Sequence, residues 1–275
     1  MLRNRRRIEG SRTLLTGASS GIGRALAIEL ARRGGRCLLI ARREERLRAI
    51  LEEAERVKSP GELVMLQGDV TDPDLQRRAL ETMVDQFGGV DILINNAGVG
   101  AMGRLEDSQP ERLRHLMEVN LFALAEMTRL AIPKLKLAAS DPKRTKTQGR
   151  PVIVNIGSIL GLVGSPHNSE YAATKFAVTG FSESLRAELS PENIDVYLVN
   201  PGTTETEFFD QLIEKTSEPK FPEHKAVTSE YVAKKIVRGI ERGASRSIPY
   251  GPARIIDLLH RLSPRLADAI MSRYA

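Results

Sequence analysis

The stretch "TLLTGASSGIGRAL", residues 13–26, decides the fold. A short apolar run ends in a glycine-rich turn, and a helical pattern follows directly. Gly17 would allow the tight turn, Gly21 would let a phosphate approach the backbone, and Gly23 would let the helix pack closely on the strand. Free N–H groups at a helix N-terminus favour an anion such as a pyrophosphate. The stretch therefore predicts a strand–turn–helix unit that binds a nucleotide.

The same alternation of short apolar and longer amphipathic runs continues along the chain. Strands are predicted at 12–16, 36–41, 62–67, 91–94, 152–156, 194–199 and, more briefly, 246–249, and helices at 21–34, 43–57, 72–87, 109–137 and 170–189. Strands that alternate with helices form parallel sheets, and continuously apolar strands are covered on both faces. We expect an α/β protein with a Rossmann-like doubly wound parallel sheet of about seven strands and helices on both faces, built as one domain over 1–275.

The ends of the chain and one loop are basic. Four of the first seven residues are arginine, and no apolar secretory segment follows them. We expect a flexible basic tail over residues 1–10, with a nucleic-acid or membrane contact as the alternative. Without arginine–aromatic interleaving, the sequence indicates no nucleic-acid partner. The polar, basic stretch 139–151 is expected to be a loop at the sheet edge opposite any ligand.

Composition limits the class of protein further. The chain is 41% hydrophobic and 28% charged, as in ordinary globular proteins, and no apolar run reaches the length of about 18 residues that spans a bilayer. Its single cysteine, Cys37, excludes an intrachain disulfide, which suits a reducing compartment. These features favour a cytoplasmic protein, and the sequence offers no candidate metal site.

The end of the second predicted strand reads "LLIARREERL". In a nucleotide-binding sheet this position faces the adenosine ribose, where an acidic residue would hold a 2′-hydroxyl. Here Arg42 and Arg43 stand instead, and a guanidinium can bind a 2′-phosphate with paired donors. The sequence therefore favours NADP(H) over NAD(H), with Arg42 the stronger candidate. The alternative is that both arginines are solvated residues of the next helix.

From about Arg12 to about Phe209 the sequence resembles the short-chain dehydrogenase/reductase family, single-domain type. The resemblance rests on motifs in the family's order: "TGASSGIG" (16–23), "GDV" (68–70), "NNAG" (95–98), Asn120, "NIGS" (155–158), "YAATK" (171–175) and "PGTTET" (201–206). It implies an oxidoreductase that interconverts a carbonyl and a secondary alcohol.

The resemblance also implies a set of cofactor contacts. Asp69 should accept from the adenine amino group, and the nicotinamide end should be held by the "PGTTET" motif. The implied cofactor-binding residues are Gly17, Ser19, Ser20, Gly21, Ile22, Gly23, Arg42, Arg43, Asp69, Val70, Asn96, Ala97, Gly98, Tyr171, Lys175, Pro201, Gly202, Thr204 and Thr206.

Four residues match the catalytic group of that family: Asn120, Ser158, Tyr171 and Lys175. Tyr171 and Lys175 are four positions apart, so they share a face of a helix. We expect the ammonium to lower the pKa of the phenol, which would then exchange a proton with the substrate oxygen. Ser158 would hold that oxygen, and Asn120 would bind a water linking Lys175 to solvent. Two rival functions are a non-catalytic nucleotide-binding regulator and an epimerase or dehydratase that recycles its cofactor.

Substrate and partner contacts are expected in the last third of the chain. A lid over about 208–225 contains Phe208, Phe209 and Leu212, which either select a lipophilic substrate or only pack the lid. Residues after Ser158 that could line the pocket are Leu160, Leu162, Val163 and His167.

The C-terminal extension, about 250–275, carries an amphipathic stripe that includes Ile255, Leu258 and Leu262. We expect it to pack on its own domain or on a partner subunit, with a membrane surface as the alternative. The resemblance implies a homodimer or homotetramer.

Overall fold

The computed structural model of the chain describes residues 5–217 and 225–274. Its main sheet has seven parallel strands: β1 (Arg12–Thr16), β2 (Arg36–Ala41), β3 (Glu62–Gln67), β4 (Ile92–Asn95), β5 (Val152–Ile156), β6 (Asp195–Val199) and β9 (Arg246–Ser247). A separate parallel pair is formed by β7 (Thr204–Glu205) and β8 (Val227–Thr228). The predicted Rossmann-like sheet is thereby confirmed.

Helices connect the strands and cover both faces of the sheet. They are α1 (Gly21–Arg32), α2 (Glu44–Arg56), α3 (Pro73–Phe87), α4 (Pro110–Met117), α5 (Ala123–Ser140), α6 (Pro142–Gln148), α7 (Ser169–Leu189), α8 (Ser229–Glu241), α9 (Gly251–Leu262) and α10 (Pro264–Met271). A π-helical turn, Glu118–Phe122, joins α4 to α5. The predicted helix over 109–137 is therefore two helices with a wider turn between them, and α8 is a helix that the sequence analysis did not predict.

The strand order is β3-β2-β1-β4-β5-β6-β9. The strands are all parallel, but the order in which the chain adds them to the sheet reverses between β1 and β4. On one face α1, α2 and α8 pack against the sheet, and on the other α3, α5 and α7 do. Successive residues of β1 pack on opposite faces of the sheet: Leu15 belongs to the buried cluster on one face and Leu14 to the cluster on the other. Ligands of such sheets bind at the carboxyl ends of the strands beside the reversal.

The predicted flexible tail is wrong for residues 5–10. Ile8 is 2% exposed and belongs to the core, and the buried Arg6 forms an ion pair with Asp195 and donates to the Ile240 carbonyl at 3.0 Å. These contacts join segments far apart in the chain, so the local composition gave no sign of them. Residues 1–4 of the predicted tail lie outside the described residues.

The stretch 139–151 contains helix α6, which the prediction of a loop missed. Asp141 caps that helix by accepting from the backbone N–H of Lys143 at 2.9 Å. Arg144 pairs with Asp91, which also binds Arg12 at 2.7 Å where β1 begins. The stretch thus stabilises the amino-terminal edge of the sheet, and its predicted position away from the ligand edge is confirmed.

Candidate active site

The glycine-rich turn after β1 has the backbone that the sequence required. Gly17 and Gly21 have φ of +67° and +50°, a region that glycine adopts without strain. A β-carbon at Gly23 would lie 2.1 Å from the Gly17 carbonyl oxygen, so the start of α1 packs on the turn itself. The open turn at the N-terminus of α1 suits a pyrophosphate.

The loop after β4 is hydrogen-bonded to the glycine-rich turn. Thr16 Oγ1 accepts from the backbone N–H groups of Asn96 and Ala97, both at 3.1 Å, and Asn96 Nδ2 donates to the Gly17 carbonyl at 2.9 Å. A β-carbon at Gly98 would come 3.1 Å from Asn120 Oδ1 and 3.6 Å from Lys175 Nζ. Glycine at this position therefore avoids crowding both side chains and keeps the cavity open beside Lys175.

At the adenosine end, the two predicted arginines have different surroundings. Arg42 points into solvent, with a side chain that is 67% exposed and a guanidinium 3.9 Å from Asp69. Arg43 donates to the hydroxyls of Ser19 and Ser20 at 3.1 and 3.0 Å. Both guanidiniums line the cleft beside the phosphate turn, so each is placed where it could contact a ribose phosphate.

Three of the four predicted catalytic residues meet at the carboxyl edge of β5. Ser158 follows that strand, and Tyr171 and Lys175 lie in the first turns of α7. Lys175 Nζ donates to the Ile156 carbonyl at 3.2 Å and lies 5.7 Å from the centroid of the Tyr171 ring.

The electrostatics of this pair differ from the expectation. Burial raises the pKa of Tyr171 to about 12, and a hydrogen bond with the Ser158 side chain offsets part of that rise. Burial also lowers the pKa of Lys175 to about 8. The expected lowering of the phenol pKa is therefore wrong for the protein's own groups, because desolvation of the phenolate outweighs the hydrogen bond with Ser158.

Asn120, the fourth residue, lies in the π-helical turn between α4 and α5. Its side chain accepts from the Val99 N–H at 2.9 Å and donates to Thr174 Oγ1 at 3.0 Å. A π-turn inserts one residue and re-aims the side chains around it, and such turns are frequent at functional sites. Asn120 thus joins the loop after β4 to helix α7, directly behind Lys175.

All of these elements surround one cavity of about 730 Å³. Every predicted cofactor residue lines it, as do Ser158, Tyr171 and Lys175, whereas Asn120 lies behind its wall. The phosphate turn, the room at Gly98 and the arginines at the outer end fit a dinucleotide.

A family model described as short chain dehydrogenase matches residues 11–217. The chain belongs to the short-chain dehydrogenase family. A curated relative, "11-beta-hydroxysteroid dehydrogenase-like 2" of Arabidopsis thaliana, is 32% identical over 271 residues, or 96% of this chain and 81% of the relative. Dehydrogenases and reductases of this family are oxidoreductases, so the predicted enzyme class is confirmed.

Solved structures of the family have the same fold. A short-chain dehydrogenase from Sphingobium yanoikuyae in complex with NADPH has a TM-score of 0.75 and 30% identity, covering 94% of this chain and 96% of that one. A short chain dehydrogenase/reductase from Burkholderia phymatum in complex with NAD has a TM-score of 0.82 at 22% identity, covering 94% and 96%. The second likeness shows the fold alone.

In this short-chain dehydrogenase the first part of the predicted lid closes over the tyrosine end. The Phe208 ring lies 5.7 Å from the Tyr171 ring, and Phe209 meets Phe208 edge-on at 5.7 Å. Backbone hydrogen bonds connect this segment to the loop after β4. The Ile213 N–H donates to the Gly100 carbonyl at 2.9 Å, and the Met102 N–H donates to the Glu214 carbonyl at 3.0 Å. Residues 218–224 of the predicted lid lie outside the described residues.

The residues expected to line the pocket after Ser158 divide into two pairs. Leu160 and Val163 line the cavity. Leu162 instead packs into a small buried cluster, and His167 turns away to Ser217, with Nδ1 2.6 Å from its hydroxyl. The prediction is therefore wrong for Leu162 and His167.

The C-terminal extension also contributes to the site, although its sequence pattern did not indicate this. Tyr250, Ala253, Ile256 and Met271 all line the cavity. A β-carbon at Gly202 would lie 2.2 Å from the Tyr250 ring, so the "PGTTET" motif packs directly against this residue. The apolar spacing of α9 and α10 gave the helices but did not reveal which face would meet the cavity.

The extension also presents an apolar stripe to solvent. Its exposed residues are Ile255 (70%), Leu258 (56%), Leu262 (76%) and Leu266 (49%). In the part of the chain that the structure describes, nothing covers these four side chains, whereas Ala253, Ile256 and Met271 of the same helices do pack on the chain's own domain. Among the described residues, no helix is both long and apolar enough to cross a bilayer.

Proposed function

We propose that this short-chain dehydrogenase is an NADP(H)-dependent oxidoreductase that interconverts a carbonyl and a secondary alcohol on a small lipophilic molecule. The observation that carries the proposal is the convergence of Ser158, Tyr171 and Lys175 at one end of a cavity whose other end is a phosphate turn with two arginines. A dinucleotide along that track would bring its reactive ring to the tyrosine.

The preference for NADP(H) is supported by charge. Arg42 and Arg43 line the adenosine end, where their guanidiniums can form charge-assisted hydrogen bonds with a 2′-phosphate. The related enzyme from Sphingobium yanoikuyae is a complex with NADPH. A carboxylate that would instead hold a 2′-hydroxyl is absent from the end of β2, where the sequence reads Ala41-Arg42-Arg43.

The proposed roles follow from the positions of the chain's own groups. The bound nicotinamide supplies the hydride chemistry. Tyr171, whose pKa is about 12, keeps its proton at neutral pH and donates it to the carbonyl oxygen of the substrate. Ser158 donates a hydrogen bond to the same oxygen and stabilises the charge that develops there.

Lys175 and Asn120 support the tyrosine. With a pKa of about 8, Lys175 is an ammonium at neutral pH, and its charge stabilises the phenolate that remains after proton transfer. Because Lys175 lines the cavity and Asn120 lies close behind it, we propose that Lys175 also binds the nicotinamide ribose and that Asn120 holds a water beside it. In the reverse direction Tyr171 would accept the proton from the alcohol.

The proposed substrate is lipophilic because apolar side chains dominate the tyrosine end of the cavity. Phe208, Phe209, Leu212, Tyr250 and Met271 all line it. The Arabidopsis relative is named for a hydroxysteroid, a rigid lipophilic alcohol. We therefore place steroid-like and other bulky apolar carbonyl compounds first among candidate substrates.

We further propose a cytoplasmic homodimer or homotetramer. We propose that the subunits meet through α5 and α7, which carry exposed apolar side chains at Leu137 (69%) and Phe176 (43%), respectively. The stripe on α9 and α10 offers a second surface for a partner subunit, which we favour over a membrane contact.

The test of the function is NADPH oxidation by the purified protein across a panel of carbonyl compounds, followed by absorbance. The panel contains ketosteroids, ketoacyl thioesters, retinoid aldehydes, quinones and small sugars. Turnover of a lipophilic class, with one NADPH consumed per alcohol formed, is the expected result. NADPH binding without turnover of any class would favour a non-catalytic regulator, and product formation without net NADPH consumption would favour an epimerase or dehydratase.

A further inference from the structure

The carboxylate of Glu207 joins the root of the lid to the start of α2. Arg46 Nη1 donates to its two oxygens at 2.7 and 2.5 Å. Arg43, the residue that precedes α2, lies 3.6 Å from the same carboxylate. We refer to Arg43, Arg46 and Glu207 as the Glu207 clasp.

The clasp lies beside the adenosine end of the cofactor track, where Arg43 lines the cavity. Arg43 also bonds the hydroxyls of Ser19 and Ser20 in the phosphate turn. Thr206, the residue before Glu207, packs over the same turn, since a β-carbon at Gly21 would come 2.9 Å from its methyl group. Glu207 therefore reaches over the turn to the cations expected to meet a ribose phosphate.

A carboxylate and a phosphate compete for the same donors. Both are oxyanions that accept paired N–H groups from a guanidinium. Hydrogen bonding by Arg46 lowers the pKa of Glu207, so the group is an anion at neutral pH. The side chains of Arg46 and Glu207 are 39% and 44% exposed, and ion pairs so well solvated are weak and easily exchanged.

We propose that Glu207 is an internal competitor of the 2′-phosphate for Arg43 and Arg46, and that Arg46 is a further phosphate-binding residue. The inference rests on the proposed NADP(H) preference. Binding of the phosphate would free Glu207, whose neighbour Phe208 contacts Tyr171. Recognition at the adenosine end would thereby release the root of the lid at the substrate end.

Calorimetric titration with two fragments tests the competition without any turnover. Adenosine 2′,5′-bisphosphate carries the phosphate in question, and 5′-AMP lacks it. The variants are Glu207→Gln, Arg46→Gln and the double variant. Glu205→Gln and Arg48→Gln are matched controls, because they remove the same charges nearby while leaving the clasp intact.

We expect Glu207→Gln to tighten bisphosphate binding by roughly fivefold and Arg46→Gln to weaken it by roughly tenfold, with little change for 5′-AMP. In the double variant the gain from Glu207→Gln should shrink to the part that comes from Arg43, which remains beside position 207. An unchanged bisphosphate affinity in Glu207→Gln, or an equal gain for both fragments, would overturn the competition while leaving the cofactor preference intact. Equal binding of both fragments by the wild-type protein would instead overturn the preference itself, and the competition with it.

Discussion

Arg112 and Glu170 form a buried ion pair next to Tyr171, the proposed proton donor. Arg112 Nε donates to Glu170 Oε2 at 2.6 Å, and their side chains are only 3% and 7% exposed. Glu170 precedes Tyr171 in the first turn of α7, and a second bond from Arg112 reaches Glu214 in the lid at 2.8 Å. One buried guanidinium thus holds the tyrosine's helix and the lid together.

Replacing Arg112 with Met should lower the free energy of unfolding by about 3–5 kcal/mol, because it leaves a buried carboxylate without its partner. Adding Glu170→Gln should restore part of that loss. Urea denaturation measures both effects. The control is Arg114→Met, since the Arg114 side chain is 73% exposed and its loss should cost little. Similar stability for Arg112→Met and the control would contradict this role for the pair.

Lys175→Met should make the protein more stable at pH 7 while removing activity. Burial lowers the pKa of Lys175 to about 8 from an ordinary 10.5, so the folded chain bears the full cost of the buried charge below pH 8. As the pH rises from 8 to 10.5, the folded chain loses that proton first and the cost disappears.

Between pH 7 and 10 the wild-type protein should therefore gain about 2.5 kcal/mol of unfolding free energy relative to the Met variant, which does not titrate there. Chemical denaturation of both proteins between pH 7 and 10 gives the comparison. Measurements stop at pH 10 because the raised pKa of Tyr171 lowers stability between pH 10 and 12 in both proteins. If the difference in unfolding free energy between wild type and variant stayed constant with pH, the charged Lys175 would not be destabilising the folded chain.

Arg42→Ala should weaken NADPH binding by about tenfold and NADH binding by less than twofold, because only NADPH carries the 2′-phosphate. Fluorescence titration with each cofactor gives the two dissociation constants. Arg48→Ala, on the exposed side of α2, controls for the general loss of positive charge. Equally weakened binding of both cofactors would show that Arg42 does not bind the 2′-phosphate.

Leu258→Asn combined with Leu262→Asn should reduce the oligomer size in sedimentation velocity, because the stripe on α9 and α10 is proposed to meet a partner subunit. Both proteins should stay in the supernatant when vesicles of anionic phospholipid are pelleted. Pelleting of the wild type but not of the variant would identify the stripe as a membrane contact instead. Full-length variants are needed because Ala253 and Met271 of the same helices pack at the cavity.

The sheet and the positions of the candidate site residues were predictable because both depend on local sequence patterns. Continuous apolar runs gave all seven strands, and motifs at fixed spacing gave Ser158, Tyr171 and Lys175. Contacts between distant segments were not predictable. Arg6 is buried against Asp195, and Glu207 reaches Arg46 across 161 positions of the chain. Such pairs depend on the completed fold, which no local pattern describes.

Desolvation was likewise beyond the sequence. The spacing of Tyr171 and Lys175 on one helix face indicated attraction between an ammonium and a phenolate. It did not indicate the depth of the cavity wall that raises one pKa and lowers the other. Quantities set by burial need the packed structure, even where the residues involved are known in advance.

The most direct test of the account is turnover by Tyr171→Phe at saturating NADPH with any substrate found for the wild type. The variant loses one hydroxyl, so NADPH affinity should stay within about twofold while kcat falls at least about a hundredfold, the usual contribution of a general acid. Substantial residual kcat with normal NADPH binding would contradict the assignment of Tyr171 as the proton donor, and with it the central claim.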